Sequence, residues 1–104
     1  EAVSGRYASY ILGYYQLYVY KNRAEAKQYF LQCMDFSKQT DSMESGYYWA
    51  SVLGLARIAF QENDYDQAVD YCKEVLDKAE KKSAQHTEAK KLLSEAKKAR
   101  RKRK

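Results

Sequence analysis

The chain contains no proline and only four glycines in 104 residues. Sheet proteins need more turn-forming residues than this, whereas helices joined by short polar connections do not. The length corresponds to about one domain with a small core. The scarcity of turn residues therefore favours a single all-α domain.

Residues suited to catalysis or to metal binding are also few. Cys33 and Cys72 stand apart without a CxxC pair, and the single histidine has no second ligand at metal-site spacing. His86 lies in no nucleophile context, so a catalytic base there would have no defined partner. The chain has no glycine-rich phosphate loop, and the acidic cluster at 62–66 lacks the glycine and last glutamate of a calcium loop. We expect buried thiols, no metal, no cofactor and no catalysis.

Long hydrophobic runs are missing as well. No apolar run approaches the roughly 18 residues of a membrane span. The first residues lack the basic-then-apolar form of a signal peptide. The compartment is left open by these observations, with the cytoplasm slightly favoured.

Charge is distributed unevenly. Residues 1–80 carry eight Lys and Arg against twelve Asp and Glu, net −4, whereas residues 81–104 carry eleven against two, net +9. The last eight residues hold seven cations, a candidate anion-binding set: Lys97, Lys98, Arg100, Arg101, Lys102, Arg103 and Lys104. Such a run can bind phosphates, lie on an anionic membrane or serve as a nuclear address. It can also be a solvated helix end whose cations suit the helix dipole.

Helical periodicity predicts five helices. The first runs from about Ser4 to Tyr20, the second over 24–38 and the third over 47–61. Asp41 or Ser42 could cap an earlier start of the third helix. Asp64 is a natural N-cap for the fourth, and Ser83 or Thr87 for the fifth. The first helix is apolar on nearly every side, which predicts packing on more than one face.

The second and fourth helices carry the same pattern. Small, large and medium residues follow at steps of four and three, and the two sets are 42 residues apart: Ala26, Phe30 and Cys33, then Ala68, Cys72 and Val75. The preceding helices both contain a Leu-Gly pair, at 12–13 and 53–54. The chain therefore contains two copies of one helix-hairpin pattern. The narrow apolar stripe of the fifth helix suits the last helix of a stack.

Residues 49–82 resemble the tetratricopeptide repeat family, whose unit is about 34 residues of helix, turn and helix. The resemblance rests on Ala68 as the small residue of the second helix, Ala56 twelve residues earlier, and Tyr65 at the turn. Cys72 stands where the family has an aromatic residue, and the closing proline is missing.

The resemblance implies a stacked helical repeat domain over 1–96. It would comprise hairpins 5–39 and 46–80 and a capping helix from about 84, followed by a basic tail over 97–104. One hairpin cannot bury its apolar side alone, and two repeats are fewer than the three usually needed. This shortage indicates a fragment of a longer array or self-association.

In the resembling family the first helix of each hairpin lines a concave surface. Six tyrosines occupy the first helix here, more than one buried stripe holds, so some are expected to face outward. The resemblance implies partner contacts by Tyr14, Tyr15, Tyr18, Arg57 and Phe60. Tyr10, Tyr14 and Tyr18, at steps of four, could equally pack against the second helix or a neighbouring repeat.

The sequence thus predicts a non-catalytic protein interaction scaffold that binds a peptide or protein partner on an aromatic-rich helical surface. A carboxylate clamp is disfavoured, because Arg57 is the single cation among the inward positions. The alternative is an adaptor that contacts nucleic acid or an anionic membrane through the basic tail. That tail has no aromatic interleaving, which argues against base-specific recognition.

Overall fold

The computed structural model describes residues 2–39 and 46–102. They form five helices: α1 (Ala2–Tyr18), α2 (Arg23–Gln39), α3 (Gly46–Gln61), α4 (Tyr65–Lys78) and α5 (Ala84–Lys102). No strand occurs in these two ranges, so the predicted all-α class with five helices is confirmed. Asp41, Ser42, Arg103 and Lys104 lie outside the described residues.

α3 is the central helix of the stack. It contacts each of the other four helices, and ten of its residues are buried. α1 pairs with α2 and α3 pairs with α4 through short connections, while α5 packs against α4 and α3. The helices α1, α3 and α5 therefore touch in series along one side of the molecule. Within the described ranges, no helix combines the length and apolarity that crossing a membrane requires.

The turns inside the two hairpins share two features, although the first connection is one residue longer than the second. Lys21 and Asn63 have φ values of 59° and 64°, in the left-handed region. The residue after each caps the next helix: the side-chain oxygen of Asn22 accepts a backbone N–H at 3.1 Å, and that of Asp64 accepts one at 3.2 Å. A left-handed residue ends one helix, and a short polar side chain starts the next. The internal repeat thus extends to the turns, and the predicted capping role of Asp64 is confirmed.

The predicted apolar stripes of α2 and α4 form the core. All six of their residues are at most 1% exposed: Ala26, Phe30, Cys33, Ala68, Cys72 and Val75. α5 adds one narrow stripe, in which Leu92 is buried with alanines at 89 and 96. The Ser83 hydroxyl caps this helix by accepting the His86 backbone N–H at 3.2 Å. Of the two predicted caps, Ser83 is therefore the one that acts.

The Leu-Gly pairs of the two hairpins have a shared structural reason. A Cβ on Gly13 would lie 2.8 Å from the Phe30 ring, and a Cβ on Gly54 would lie 2.5 Å from it. The ring of α2 is therefore held between the backbones of α1 and α3. Only glycine permits this approach from both sides. Phe30 joins the first hairpin to the second.

α1 is less buried than its sequence predicts. It contacts α2 and α3, and its buried stripe consists of Ser9, Gly13 and Leu17. On its outer side, Leu12 is 44% exposed and Tyr15 is 49% exposed. The expectation that α1 packs on more than one face holds for its sides toward α2 and α3, whereas no helix of the described ranges covers its outer side.

Candidate functional site

A groove runs along the side of the stack where α1, α3 and α5 lie next to each other. Tyrosine rings from three successive turns of α1 form one wall, since residues four apart share a helix face. The Tyr14 and Tyr18 ring centroids are 4.7 Å apart. We call this surface the tyrosine groove, lined by Tyr10, Tyr14 and Tyr18 of α1, Leu53 and Arg57 of α3, and Gln85 and Glu88 of α5.

Further aromatic contacts hold this wall in place. The Tyr10 ring lies 6.1 Å from the Phe30 ring and 5.8 Å from the Tyr47 ring of α3. Tyr7 meets Tyr47 edge to face at 5.5 Å. Offset and edge-to-face pairs of this kind are favourable beyond their buried area. These contacts restrict the rotation of the Tyr10 ring, which lowers the entropy that it would lose on binding a ligand.

The polar end of the groove is an ion pair between α3 and α5. Arg57 Nε donates to a Glu88 carboxylate oxygen at 2.9 Å, and Nη2 donates to the same oxygen. Burial works to lower the pKa of Arg57, but the hydrogen bond to Glu88, with Tyr18 and Glu95 nearby, raises this pKa overall. The Arg57 guanidinium stays charged, and the Glu88 carboxylate already neutralises part of that charge. A ligand carboxylate would have to compete with Glu88.

The hydroxyls of Tyr10 and Tyr18 are protonated at neutral pH. Burial, followed by the negative charge of Glu88, raises the pKa of Tyr10. Burial also raises the pKa of Tyr18, although Arg57 opposes the shift. Each hydroxyl therefore offers one hydrogen to donate and lone pairs to accept. The wall presents an apolar ring surface with polar tips.

Three of the five residues predicted to contact a partner meet in the groove: Tyr14, Tyr18 and Arg57. Tyr15 neighbours Tyr14 at 6.3 Å but lies on the outer side of α1, away from the groove lining. Phe60 lies one turn past Arg57 toward the end of α3, where its ring meets Tyr65 at 5.4 Å. The structure therefore places Tyr15 and Phe60 outside this site.

Two lining residues from α5, Gln85 and Glu88, were not predicted from the sequence. They share a helix face with the buried Leu92, at steps of three and four, and that spacing is the one pattern that points to an inward position. Tyr10 was predicted only as one of three rings that could pack internally. In the structure Tyr10 packs internally against Phe30 and also lines the groove.

The dimensions of the groove restrict what it can bind. Its volume is about 120 Å³. Sites for small-molecule ligands and cofactors usually measure roughly 300–1,000 Å³. The groove has room for one or two side chains of a larger partner. Among the described residues, no group of His, Cys, Asp and Glu is arranged to hold a metal ion.

The basic end of the chain forms part of a helix. α5 continues to Lys102, so most of the predicted tail is helical, not an extended segment. Arg100 donates to an Asp66 carboxylate oxygen at 2.9 Å and ties α5 to the start of α4. Lys98, Arg101 and Lys102 are exposed, and Lys97 is half-buried. Among the candidate anion-binding residues that the structure describes, three are therefore exposed, Lys97 is half-buried and Arg100 is paired within the chain.

Comparison of the chain with protein-family models, with curated proteins and with solved structures found no match in any of the three. The functional interpretation therefore rests on the residues and their geometry.

Proposed function

We propose that this domain is a non-catalytic interaction module, built as a tetratricopeptide-like stack, that binds a peptide segment of a protein partner in the tyrosine groove. The observation that carries the proposal is the wall of Tyr10, Tyr14 and Tyr18. Tyr14 is 45% exposed and Tyr18 is 37% exposed, and the two rings pack against each other. Tyrosine is one of the residue types enriched in binding hot spots.

The polar groups of the groove support a peptide as ligand. An extended peptide offers apolar side chains for the ring surface, and backbone N–H and C=O groups for the tyrosine tips and Gln85. The paired state of Arg57 disfavours a terminal carboxylate or a phosphate as the main determinant. The partner segment is expected to place one or two apolar or aromatic side chains against Tyr14 and Tyr18.

The test uses a displayed library of random peptides, selected against the whole chain. Peptides that survive selection are measured by fluorescence anisotropy against a Tyr14→Ala, Tyr18→Ala double variant. We expect the dissociation constant to rise at least about tenfold, since hot-spot tyrosines contribute about 2 kcal/mol or more when truncated.

The matched control is a Tyr15→Ala, Tyr20→Ala double variant, because both rings are exposed but neither lines the groove. It should bind the selected peptides within about twofold of the unchanged chain. Circular dichroism establishes that both variants fold. Equal loss of binding in the two variants, or a selection that enriches no peptide, would contradict the proposal.

A further inference from the structure

The outer side of α5 is rich in cations. Six of them lie between residues 90 and 102: Lys90, Lys91, Lys97, Lys98, Arg101 and Lys102. Of the two acidic residues of this helix, Glu88 accepts hydrogen bonds from Arg57 in the groove, whereas Glu95 is exposed and lies one turn from Lys91 and Lys98, at the edge of the cationic surface. We call the six cations the α5 basic face. It includes two lysines that precede the tail recognised in the sequence.

The six cations form two rows along the helix. One row consists of Lys90, Lys97 and Arg101, and the other consists of Lys91, Lys98 and Lys102. Because consecutive residues of a helix are rotated by about 100°, the two rows lie about 100° apart around the helix axis. Steps of seven and four residues correspond to about 10 and 6 Å along the helix. Between the rows lie Thr87 and Ser94, both small, polar and exposed. The face is therefore two lines of positive charge with a low, uncharged strip between them.

We propose that the α5 basic face binds the phosphate backbone of duplex DNA, with α5 lying in the major groove and without reading the base sequence. A helix with its side chains is about 10–12 Å across, and the major groove is about 12 Å wide. The two rows then reach the phosphates on either side, while Thr87 and Ser94 face the groove floor. No Asn, Gln or Arg occupies the strip to read base edges.

Charge elsewhere in the chain favours the same orientation. Residues 1–80 have a net charge of −4 and residues 81–104 have a net charge of +9, so a polyanion is repelled from the body and attracted to the segment that contains α5. An anionic membrane is the less favoured ligand, because helices that lie in a bilayer interface insert apolar side chains. The strip between the rows has none. This inference is independent of peptide binding in the tyrosine groove, which lies on another side of α5.

The decisive variant is Lys90→Gln, Lys91→Gln, which leaves residues 97–104 intact. Binding to a duplex DNA of about 20 base pairs is measured by fluorescence anisotropy at several salt concentrations. With six phosphate contacts, we expect log K to fall with log salt at a slope near −5. The double variant should lose roughly 10- to 100-fold in affinity near 0.1 M salt, and its slope should become shallower by about 2.

The matched control is Lys73→Gln, Lys78→Gln, which removes the same charge from exposed positions of α4. It should bind duplex DNA within about threefold of the unchanged chain, since only the long-range field changes. An RNA duplex of the same sequence should bind more weakly, because its deep, narrow major groove does not admit a helix.

Several outcomes would overturn the proposal. Unchanged affinity of Lys90→Gln, Lys91→Gln would mean that the terminal residues alone bind anions. Equal losses in the control variant would mean that net charge alone matters. Equal or tighter binding to phosphatidylserine vesicles, or to single-stranded DNA, would rule out the groove geometry. Absence of any binding to duplex DNA at low salt would also overturn it.

Discussion

Phe30 between two helix backbones allows a quantitative test of the fold. Gly54 is in the interior of α3, where replacement of glycine by alanine normally stabilises a helix by about 1 kcal/mol. Here the new methyl group would lie 2.5 Å from a ring that is 1% exposed and packed on both sides. Overpacking of a core typically costs about 1–3 kcal/mol. Because 2.5 Å is far inside van der Waals contact, we expect the upper part of this range, about 2–3 kcal/mol. After the gain of about 1 kcal/mol in helix propensity, Gly54→Ala should lower the free energy of unfolding by about 1–2 kcal/mol.

The assay is urea unfolding followed by circular dichroism and by fluorescence of Trp49, which is buried beside Tyr48. A Phe30→Leu change makes room for the methyl group, so the double variant should be more stable than the sum of the single effects by about 1 kcal/mol or more. Gly46→Ala is the control, because its Cβ would meet only the flexible end of Gln85. Its effect should stay within about 0.5 kcal/mol.

The result that would refute this reasoning is a Gly54→Ala variant as stable as, or more stable than, the unchanged chain. In that case Phe30 would shift at little cost, and helix propensity would decide the outcome. Strict additivity of Gly54→Ala and Phe30→Leu would equally refute it, since the two residues would then not be in contact.

Three further predictions concern the pH response and the polar contacts. Burial raises the pKa of the Cys72 thiol to about 11 from an ordinary value near 9. The contribution of the protonated thiol to the free energy of unfolding is therefore fully present below pH 9. It falls between pH 9 and pH 11, by at most about 1.4 kcal/mol per pH unit. The stability difference between the unchanged chain and Cys72→Ala should shrink over that range in urea unfolding, and a constant difference would contradict the shift. Ser83→Ala should cost about 1 kcal/mol through loss of the α5 cap, whereas Thr87→Ala should cost less than half as much in the same assay. Arg57→Gln should cost no more than about 1 kcal/mol, because both partners are partly exposed, and a loss that does not diminish at high salt would argue against an electrostatic origin.

The sequence predicts those features that depend on neighbours along one helix. The stripe of Ala68, Cys72 and Val75 follows from spacing alone, and the Asp64 cap follows from the residue type before an apolar run. Contacts between different helices do not follow from such local patterns. The pairing of Arg57 with Glu88 joins residues 31 apart, and no local pattern specifies it.

The tyrosines of α1 show the same limit. Their number predicts that some face outward, but the choice among them depends on where α3 and α5 lie. Tyr14 and Tyr15 are adjacent in sequence, yet one lines the groove and the other lies on the outer side. The sequence identifies the Leu-Gly pairs as part of the internal repeat. The reason for the two glycines, which is the close approach of both backbones to the Phe30 ring, is visible only in the structure.

The distribution of buried clusters implies an order of assembly. Three of the four clusters draw all their buried members from residues 48–96, in α3, α4, α5 and the C-cap of α4. Only the cluster of Leu17, Ala26, Phe30, Leu55 and Ile58 has buried members from the first hairpin. The last three helices can therefore form a folding nucleus onto which α1 and α2 dock, and amide hydrogens of α1 should exchange faster than those of α3. Because α1 supplies the tyrosine wall, the groove is completed by the last docking step, and a peptide held there would slow the opening of the first hairpin.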